Sequence, residues 1–295
     1  MELEYYFDYN ATTPTDARVF EEMKPFLEEK FHNPSSFYRD AGDVAAAIDL
    51  ARERIAKLIN CDAEEIFFTG GGTESDNLAI IGVARKLKQK GNHIITSQIE
   101  HPAVLESCRY LEKNGFEITY LPVNQKGYID LDELKSAIQP STILISIMYA
   151  NNEIGVIQPI EKVTEIARSS RILFHTDAVQ AVGKVPVDVK AMGIDMLSLS
   201  SHKIYGSKGV GVLYKRRGIR IEPLIFGGGH EKGLRAGTEN VAGIVGTGKA
   251  AEIALKEMDS ERDRITLLRD KIIKGLFNRI PELILNSSAE DCLYN

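Results

Sequence analysis

The feature that most restricts the fold of this chain is a regular alternation of short β-rich runs with stretches of helical spacing. The runs are Ile66-Phe67-Phe68, HIIT from His93, EITYL from Glu117, ILISI from Ile143, ILFH from Ile172, MLSLS from Met196 and VGVLY from Val210. Helical stretches such as SDNLAIIGVARKLK from Ser75 and IEKVTEIARS from Ile160 lie between them. Ahead of the first run, Val44, Ile48, Ala51, Ile55 and Leu58 step by fours and threes, placing one apolar face on a helix that ends near Asn60. Most of the β-rich runs are apolar on both faces, as strands covered from both sides must be. The pattern therefore predicts an α/β fold, three α/β/α layers around a mostly parallel sheet.

From about Asn240 the pattern changes. Ile265, Leu268, Ile272 and Leu276 form a stripe on a long helix that begins earlier, and Pro281 followed by LILN over 283–286 predicts a new strand. One helix and one strand cannot bury their own apolar faces, so the C-terminus reads as an interruption of a small domain. The net charge of −6 supplies no basic field for nucleic acid or an anionic membrane. No apolar run approaches the roughly 20 residues of a membrane helix, and MELEYYFDYN is acidic where a signal peptide is basic and then apolar. Cys61, Cys108 and Cys292 lie far apart without a CxxC pair. That spacing argues against a disulfide framework or a zinc site and fits a reducing cytoplasm, and no metal is expected.

Several segments carry chemistry. FFTGGGTESDN, Phe67 to Asn77, reads strand, glycine turn, helix start. Its glycines allow close backbone approach, and the helix start offers free N–H groups and a positive dipole end to an anion, with Thr73 adding a hydroxyl. A plain βα turn with a Thr N-cap explains the same residues equally well. In LSLSSHKIYGSKG a buried strand delivers Ser200, His202 and Lys203 to its carboxyl end, where ligands of open α/β sheets bind. A desolvated lysine there can attack a carbonyl, and Lys208 competes with Lys203 on pattern alone. ILFHTDAVQ places Asp177 and Gln180 after another buried strand, where Asp177 either pairs with a protonated ring nitrogen or caps the next helix. His101 opens a helix, either stacking on a flat ring or serving as a polar cap. In YANNEIG, Asn151 and Asn152 are ligands for a ring hydroxyl or a turn signal. GGGHEKGLRAGT, Gly227 to Thr238, is a loop that meets an anion or a long surface connection. A phosphate cradle, a lysine, a carboxylate and a stacking histidine after different strands of one sheet are the set that pyridoxal phosphate requires.

With these motifs in place the chain resembles the class V aminotransferase-like enzymes of fold type I, and within them the cysteine desulfurases of the IscS/NifS type. The likeness runs from FDYNATTP at Phe7 through NPSS, TESDNLA, IEHPAVLES, ANNEIG, HTDAVQ and SSHKIYG to GGGHEKGLRAGT. It implies pyridoxal 5'-phosphate held by Lys203 as a Schiff base and gripped at its phosphate by Gly72, Thr73, Ser200 and His202. Asp177 would pair with the pyridinium nitrogen, Gln180 and Asn152 would bond ring substituents, and His101 would stack on the ring and help move protons. Thr238 would reach the phosphate of the neighbouring subunit of a homodimer.

The same resemblance divides the chain into an N-terminal segment over 1–12 that packs with the small domain, a cofactor-binding domain over 13–257, and the beginning of the small domain over 258–295. It implies conversion of L-cysteine to alanine and an enzyme persulfide, which serves an iron–sulfur scaffold or a tRNA-thiolation enzyme. A selenocysteine lyase or aminotransferase of the same fold, or a non-catalytic scaffold, is the alternative. Ser207 stands where many relatives carry proline and Ala236 where serine is common, and neither is expected to do chemistry. Relatives continue into a loop with a nucleophilic cysteine and a substrate-binding arginine. Neither motif occurs here, so no catalytic cysteine is assigned, and the chain alone is expected to bind cofactor better than it turns over.

Overall fold

The computed structural model describes residues 5–287 and 291–295, so residues 1–4 of the N-terminal segment and 288–290 of the last one lie outside the described residues. Seven strands, β1 (Ile66–Thr69), β2 (His93–Ser97), β3 (Glu117–Leu121), β4 (Thr142–Ser146), β5 (Leu173–Asp177), β6 (Met196–Ser200) and β7 (Gly211–Lys215), form one sheet in the order β1-β7-β6-β5-β4-β2-β3. Every β-rich run expected before residue 216 is one of these strands. The neighbours from β3 to β6 pair in parallel, while β7 is antiparallel to both β6 and β1. The connection over 201–210 is shorter than the dozen or so residues a parallel crossover takes, so β7 has to fold back beside β6.

The helices are α1 (Ala17–Met23), α2 (Pro25–Glu28), α3 (Arg39–Ile59), α4 (Gly72–Leu87), α5 (Pro102–Glu112), α6 (Leu131–Ala137), α7 (Ile160–Ser169), α8 (Val189–Met192) and α9 (Val241–Phe277). They cover both faces of the sheet. Phe68, Ile95, Ile145, Leu197 and Val212 point into one apolar cluster with Ile55 of α3, Val163 of α7 and Ile244 of α9. Their chain neighbours Phe67, Ile94, Leu144, Met196 and Leu213 point into another with Leu78 and Ile80 of α4 and Leu111 of α5. This period-two division between two helical layers is what makes each strand read as apolar throughout. The α3 helix ends as its spacing predicts, with Asn60 left-handed at φ 54, a conformation Asn tolerates better than most residues.

The α9 helix runs without a break through the expected domain boundary at 257/258. Its first half is buried, and a Cβ at Gly248 would lie 2.5 Å from Ala51 Cα, so only glycine lets α9 cross α3 so closely. The predicted stripe is helical but largely exposed, with Leu268, Ile272 and Leu276 open to solvent. The strand expected over 283–286 does not form. Those residues have no ladder partner among the described residues, Ile284 is 80% exposed, and extended backbone without a neighbour has nothing to hold it. Further on, Cys292 bridges Val156 and Leu293 N–H donates to Gly155 O at 2.8 Å. Among the described residues no helix is long and apolar enough to cross a membrane.

Candidate active site

Because β4, β5 and β6 run in parallel, their carboxyl ends open on one side of the sheet. There a cavity of about 400 Å³ is lined by Gly72, Thr73, Asp76, His101, Asn152, Asp177, Gln180, Ser200, His202 and Lys203, and by Asp8, Asn10 and Ala11 of the N-terminal segment. Nine of the ten site residues expected from sequence therefore share one wall-to-wall space, and Thr238 is outside it.

The turn between β1 and α4 forms one end. Thr69 Oγ1 donates to Gly71 O at 3.0 Å, and Gly71 occupies the N-cap of α4 with no side chain capping the helix. The Thr N-cap alternative is thus not the arrangement adopted, since Thr73 lies inside the first turn. The uncapped N-terminus of a long helix leaves N–H donors and dipole for an anion. Two glycines make the approach possible. A Cβ at Gly72 would stand 2.9 Å from Val179 Cγ2, and one at Gly211 of β7 would stand 2.2 Å from Gly71 C. Glu74 turns away from the cavity, accepting from Gly70 N–H at 2.9 Å and from Arg235 Nε at 3.0 Å.

Ser200 ends β6, and His202 and Lys203 follow in one 3-10 turn. The half-buried Lys203 Nζ donates to Asn10 O and, at 2.8 Å, to Ala11 O. His202 Nδ1 lies 3.0 Å from Thr12 Oγ1, and His202 O accepts from both Thr13 N–H and Thr13 Oγ1. Residues 10–13 are thereby strapped over the lysine turn. Lys208 is exposed and lines an adjoining groove that shares Gly72, Thr73, Ser200 and His202 with the cavity but does not include Asp177, which leaves Lys203 as the lysine that shares a cavity with Asp177. Burial pushes the Lys203 pKa down while Asp177 pulls it back up. His202 is also lowered, by burial first and then by Lys203 and Lys208.

Asp177 closes β5, and its Oδ1 accepts from Val179 N–H at 2.9 Å. The carboxylate thus holds a local turn and lines the cavity with the same side chain. His101 likewise serves both readings. It is the N-cap of α5, with Nδ1 accepting from Ala103 N–H at 3.1 Å, so the neutral ring carries its proton on Nε2. The two asparagines divide the work. Asn151 Oδ1 accepts from the N–H groups of Glu153 and Ile154 and makes the turn, whereas Asn152 lines the cavity.

Behind Asp177 sits a buried polar layer that the sequence did not announce. Asp76 Oδ1 lies 3.6 Å from His175 Nε2 and, among the described residues, neither it nor Glu100 Oε2 has a hydrogen-bond partner. His175 sits between Ser146 Oγ at 2.9 Å and Ser198 Oγ at 3.0 Å. Burial lowers His175 to about 3 and raises Glu100 to about 8. Burial raises Asp76 well above the carboxylate range, and nearby Asp177 and Glu100 push it further. Burial raises Asp177 too, opposed by the Val179 N–H and by His101 and Lys203. A cluster of carboxyl groups with so little positive charge among them is matched to a cationic ligand group.

Over residues 5–292 the chain matches the family described as Aminotransferase class-V. It belongs to that family. It is 57% identical over its whole length to the cysteine desulfurase IscS of Dictyoglomus turgidum, covering 75% of that relative, and 53% identical over 98% of its length to the IscS of Methanosarcina thermophila, covering 72%. Among solved structures, a NifS-like protein superposes with a TM-score of 0.97 at 43% identity, covering 99% of this chain and 80% of the other. SspA in complex with cysteine superposes with a TM-score of 0.82 at 48% identity, over 84% of this chain and 72% of the other.

In this class-V chain Thr238 is exposed and lines a small second cavity with Gly70, Gly209 and Arg235 on the outer flank of the glycine turn. Asp76, Glu100, His175, Lys184 and the segment 8–11 went unnoticed in the sequence. Asp76 reads as an ordinary first-turn carboxylate of an amphipathic helix. His175, central in an otherwise apolar strand, is the signal that could have found the buried layer, because a titratable residue there needs partners.

Proposed function

We propose that this chain is a pyridoxal-phosphate-dependent cysteine desulfurase, acting as a two-fold dimer in the cytoplasm and passing sulfur to an iron–sulfur scaffold or another acceptor protein. The observation that carries the reading is the convergence of Lys203, Asp177 and the uncapped start of α4 on one cavity. The residues fit the cofactor. A phosphate suits the N–H groups at Gly72 and Thr73 with the hydroxyl of Ser200 and the ring of His202, and the buried Asp177 feels Lys203 and His101 only at a distance, with no ion pair among the described residues, so a protonated pyridine nitrogen would give it a direct partner. Gln180, Asn152 and His101 line the same cavity and would hold the ring's remaining edge and face. Bound there, pyridoxal phosphate supplies an electron sink that makes the Cα–H of an amino acid acidic.

The chain's own groups do the rest. Partial burial lowers the Lys203 pKa, a shift in the direction that suits both attack on a carbonyl carbon and removal of the Cα proton. Asp177, held in place by Val179 N–H, would face the ring nitrogen, whose positive charge would favour the carboxylate over the acid. With Nδ1 occupied by Ala103 N–H, His101 has only Nε2 available to pass a proton. Sulfur transfer needs a thiolate. Burial pushes the Cys61 and Cys108 thiols up to about 12, so neither is given that role, and none is assigned to Cys292.

The test isolates the half of the reaction these residues perform. The protein is loaded with pyridoxal phosphate, and exchange of the Cα hydrogen of L-cysteine with deuterated water is followed by NMR. Wild type is expected to show visible cofactor absorbance and exchange, and Lys203→Ala to lose both, with exchange falling by at least about a hundredfold. Absorbance unchanged in Lys203→Ala refutes the reading. When a thiol acceptor is supplied, alanine is the expected product, with the sulfur left on the acceptor as a persulfide, whereas mercaptopyruvate, the keto acid of cysteine, identifies an aminotransferase.

A further inference from the structure

Lys184 lies in the turn after β5, only 7% exposed, and among the described residues it has no carboxylate within ion-pair distance. Its Nζ donates instead to two amide oxygens, Gln180 Oε1 at 2.7 Å and Asn10 Oδ1 at 3.0 Å. A buried ammonium without a counter-charge is costly, and an apolar residue of the same length would fill the space more cheaply. Consistent with that cost, burial brings its pKa down to about 7, with Lys203 adding to the shift.

Gln180 is the group this lysine touches in the cavity wall. A side-chain amide has an acceptor end and a donor end that exchange by a half-turn, and the environment decides between them. The charged form of Lys184 only donates, so the atom facing it is the oxygen, as the 2.7 Å contact has it. The other end, Nε2, is thereby presented on the cavity side, where it now donates to Asn10 O at 2.9 Å. That same carbonyl accepts from Lys203 Nζ. One lysine outside the cavity thus fixes the polarity of a cavity amide and ties down the Asn10 side chain of the segment strapped over the lysine turn.

We propose that Lys184 is a positioning residue that locks Gln180 as a hydrogen-bond donor toward an anionic ring oxygen of the bound cofactor. The inference rests on the pyridoxal-phosphate reading above. It goes further by naming a residue outside the cavity that decides which end of Gln180 the ligand meets.

The experiment is a double-mutant cycle on the dissociation constant of pyridoxal phosphate, titrated into the cofactor-free protein and read by its visible absorbance. Lys184→Met is expected to weaken binding about three- to tenfold, the loss of one hydrogen bond, and Lys184→Arg, still a pure donor, to recover most of it. In a Gln180→Leu background Lys184→Met is expected to have no further effect, because the amide it orients is gone. Wild-type affinity in Lys184→Met, or losses that multiply in the double variant, overturns the proposal. A merely structural role lowers the melting temperature equally in both backgrounds and leaves no coupling. Should Lys184→Met fail to fold, Lys184→Arg is read in the two backgrounds. Near-wild-type affinity supports the proposal, and an equal loss in both overturns it. A wild-type chain that binds no pyridoxal phosphate refutes the functional reading itself, whereas a binding wild type with a silent Lys184→Met refutes only this inference.

Discussion

Glu100 shows how much a single side chain contributes here without touching any ligand. Its Oε1 accepts from Ser97 Oγ at 2.6 Å and from Met148 N–H at 2.8 Å, while Oε2 is buried alone. Burial raises its pKa from 4.5 to about 8, so between these values the folded protein holds a proton that the unfolded chain has released. The stabilising contribution is complete below 4.5 and is lost as pH climbs through 8. His175 has the opposite sign. Lowered from 6.5 to about 3, it costs stability as pH falls through that interval, so the two slopes oppose between 4.5 and 6.5 and Glu100 acts alone above. Glu100→Gln imitates the protonated acid. In cofactor-free protein its unfolding free energy, read by urea denaturation, is expected to gain on wild type as pH rises from 5 to 8, by on the order of a few kcal/mol. A gap that stays constant across that range shows that Glu100 is not a held acid. None of this was legible in the sequence, where Glu100 merely precedes a histidine. Lys203, Asp177 and Gln180 were legible because each closes or follows an apolar run, and a polar group at such an end requires a reason.

At the scale of elements, the strands were readable for the reason that they are stable: neighbours such as Ile94 and Ile95 are both buried, one in each helical layer. The reversed direction of β7 was readable only from the length of the 201–210 connection, a cue weaker than its apolar content. The run at 283–286 misled because β-rich composition describes a surface that fits a sheet, not the presence of a neighbour to pair with. β7 also reaches the site through Gly211, whose missing side chain lets Gly71 lie against the strand. Gly211→Ala puts a methyl 2.2 Å from Gly71 C, which backbone cannot absorb without moving. The variant is expected to lose about 1–3 kcal/mol in urea denaturation and to lose phosphate-end affinity for pyridoxal phosphate more than affinity for pyridoxal. Equal losses for both compounds place the damage elsewhere than the turn.

On the scale of the whole molecule, the place of Thr238 raises the question of whether one chain makes a complete site. It is exposed, and it lies on the outer flank of Gly70 rather than in the cavity, beside a segment where Phe226 is 77% exposed. Phe31, Phe37 and Tyr38 are also more than 70% exposed, an apolar surface of the kind a second copy covers. In a two-fold dimer Thr238 of one protomer would serve the phosphate held by its partner, and mixed dimers test that directly. Lys203→Ala and Thr238→Val chains, each impaired alone at limiting pyridoxal phosphate, are combined by co-expression and assayed for Cα-hydrogen exchange. If Thr238 acts across the interface, a mixed dimer carries both lesions at one site and neither at the other, so random pairing leaves about a quarter of sites intact. Exchange then rises above the mean of the two parents. If Thr238 serves its own chain, every site in the mixture keeps a lesion and the activity stays at that mean. Sedimentation of the same mixture fixes the dimer fraction, so an absence of rescue in a fully dimeric sample assigns Thr238 to its own subunit.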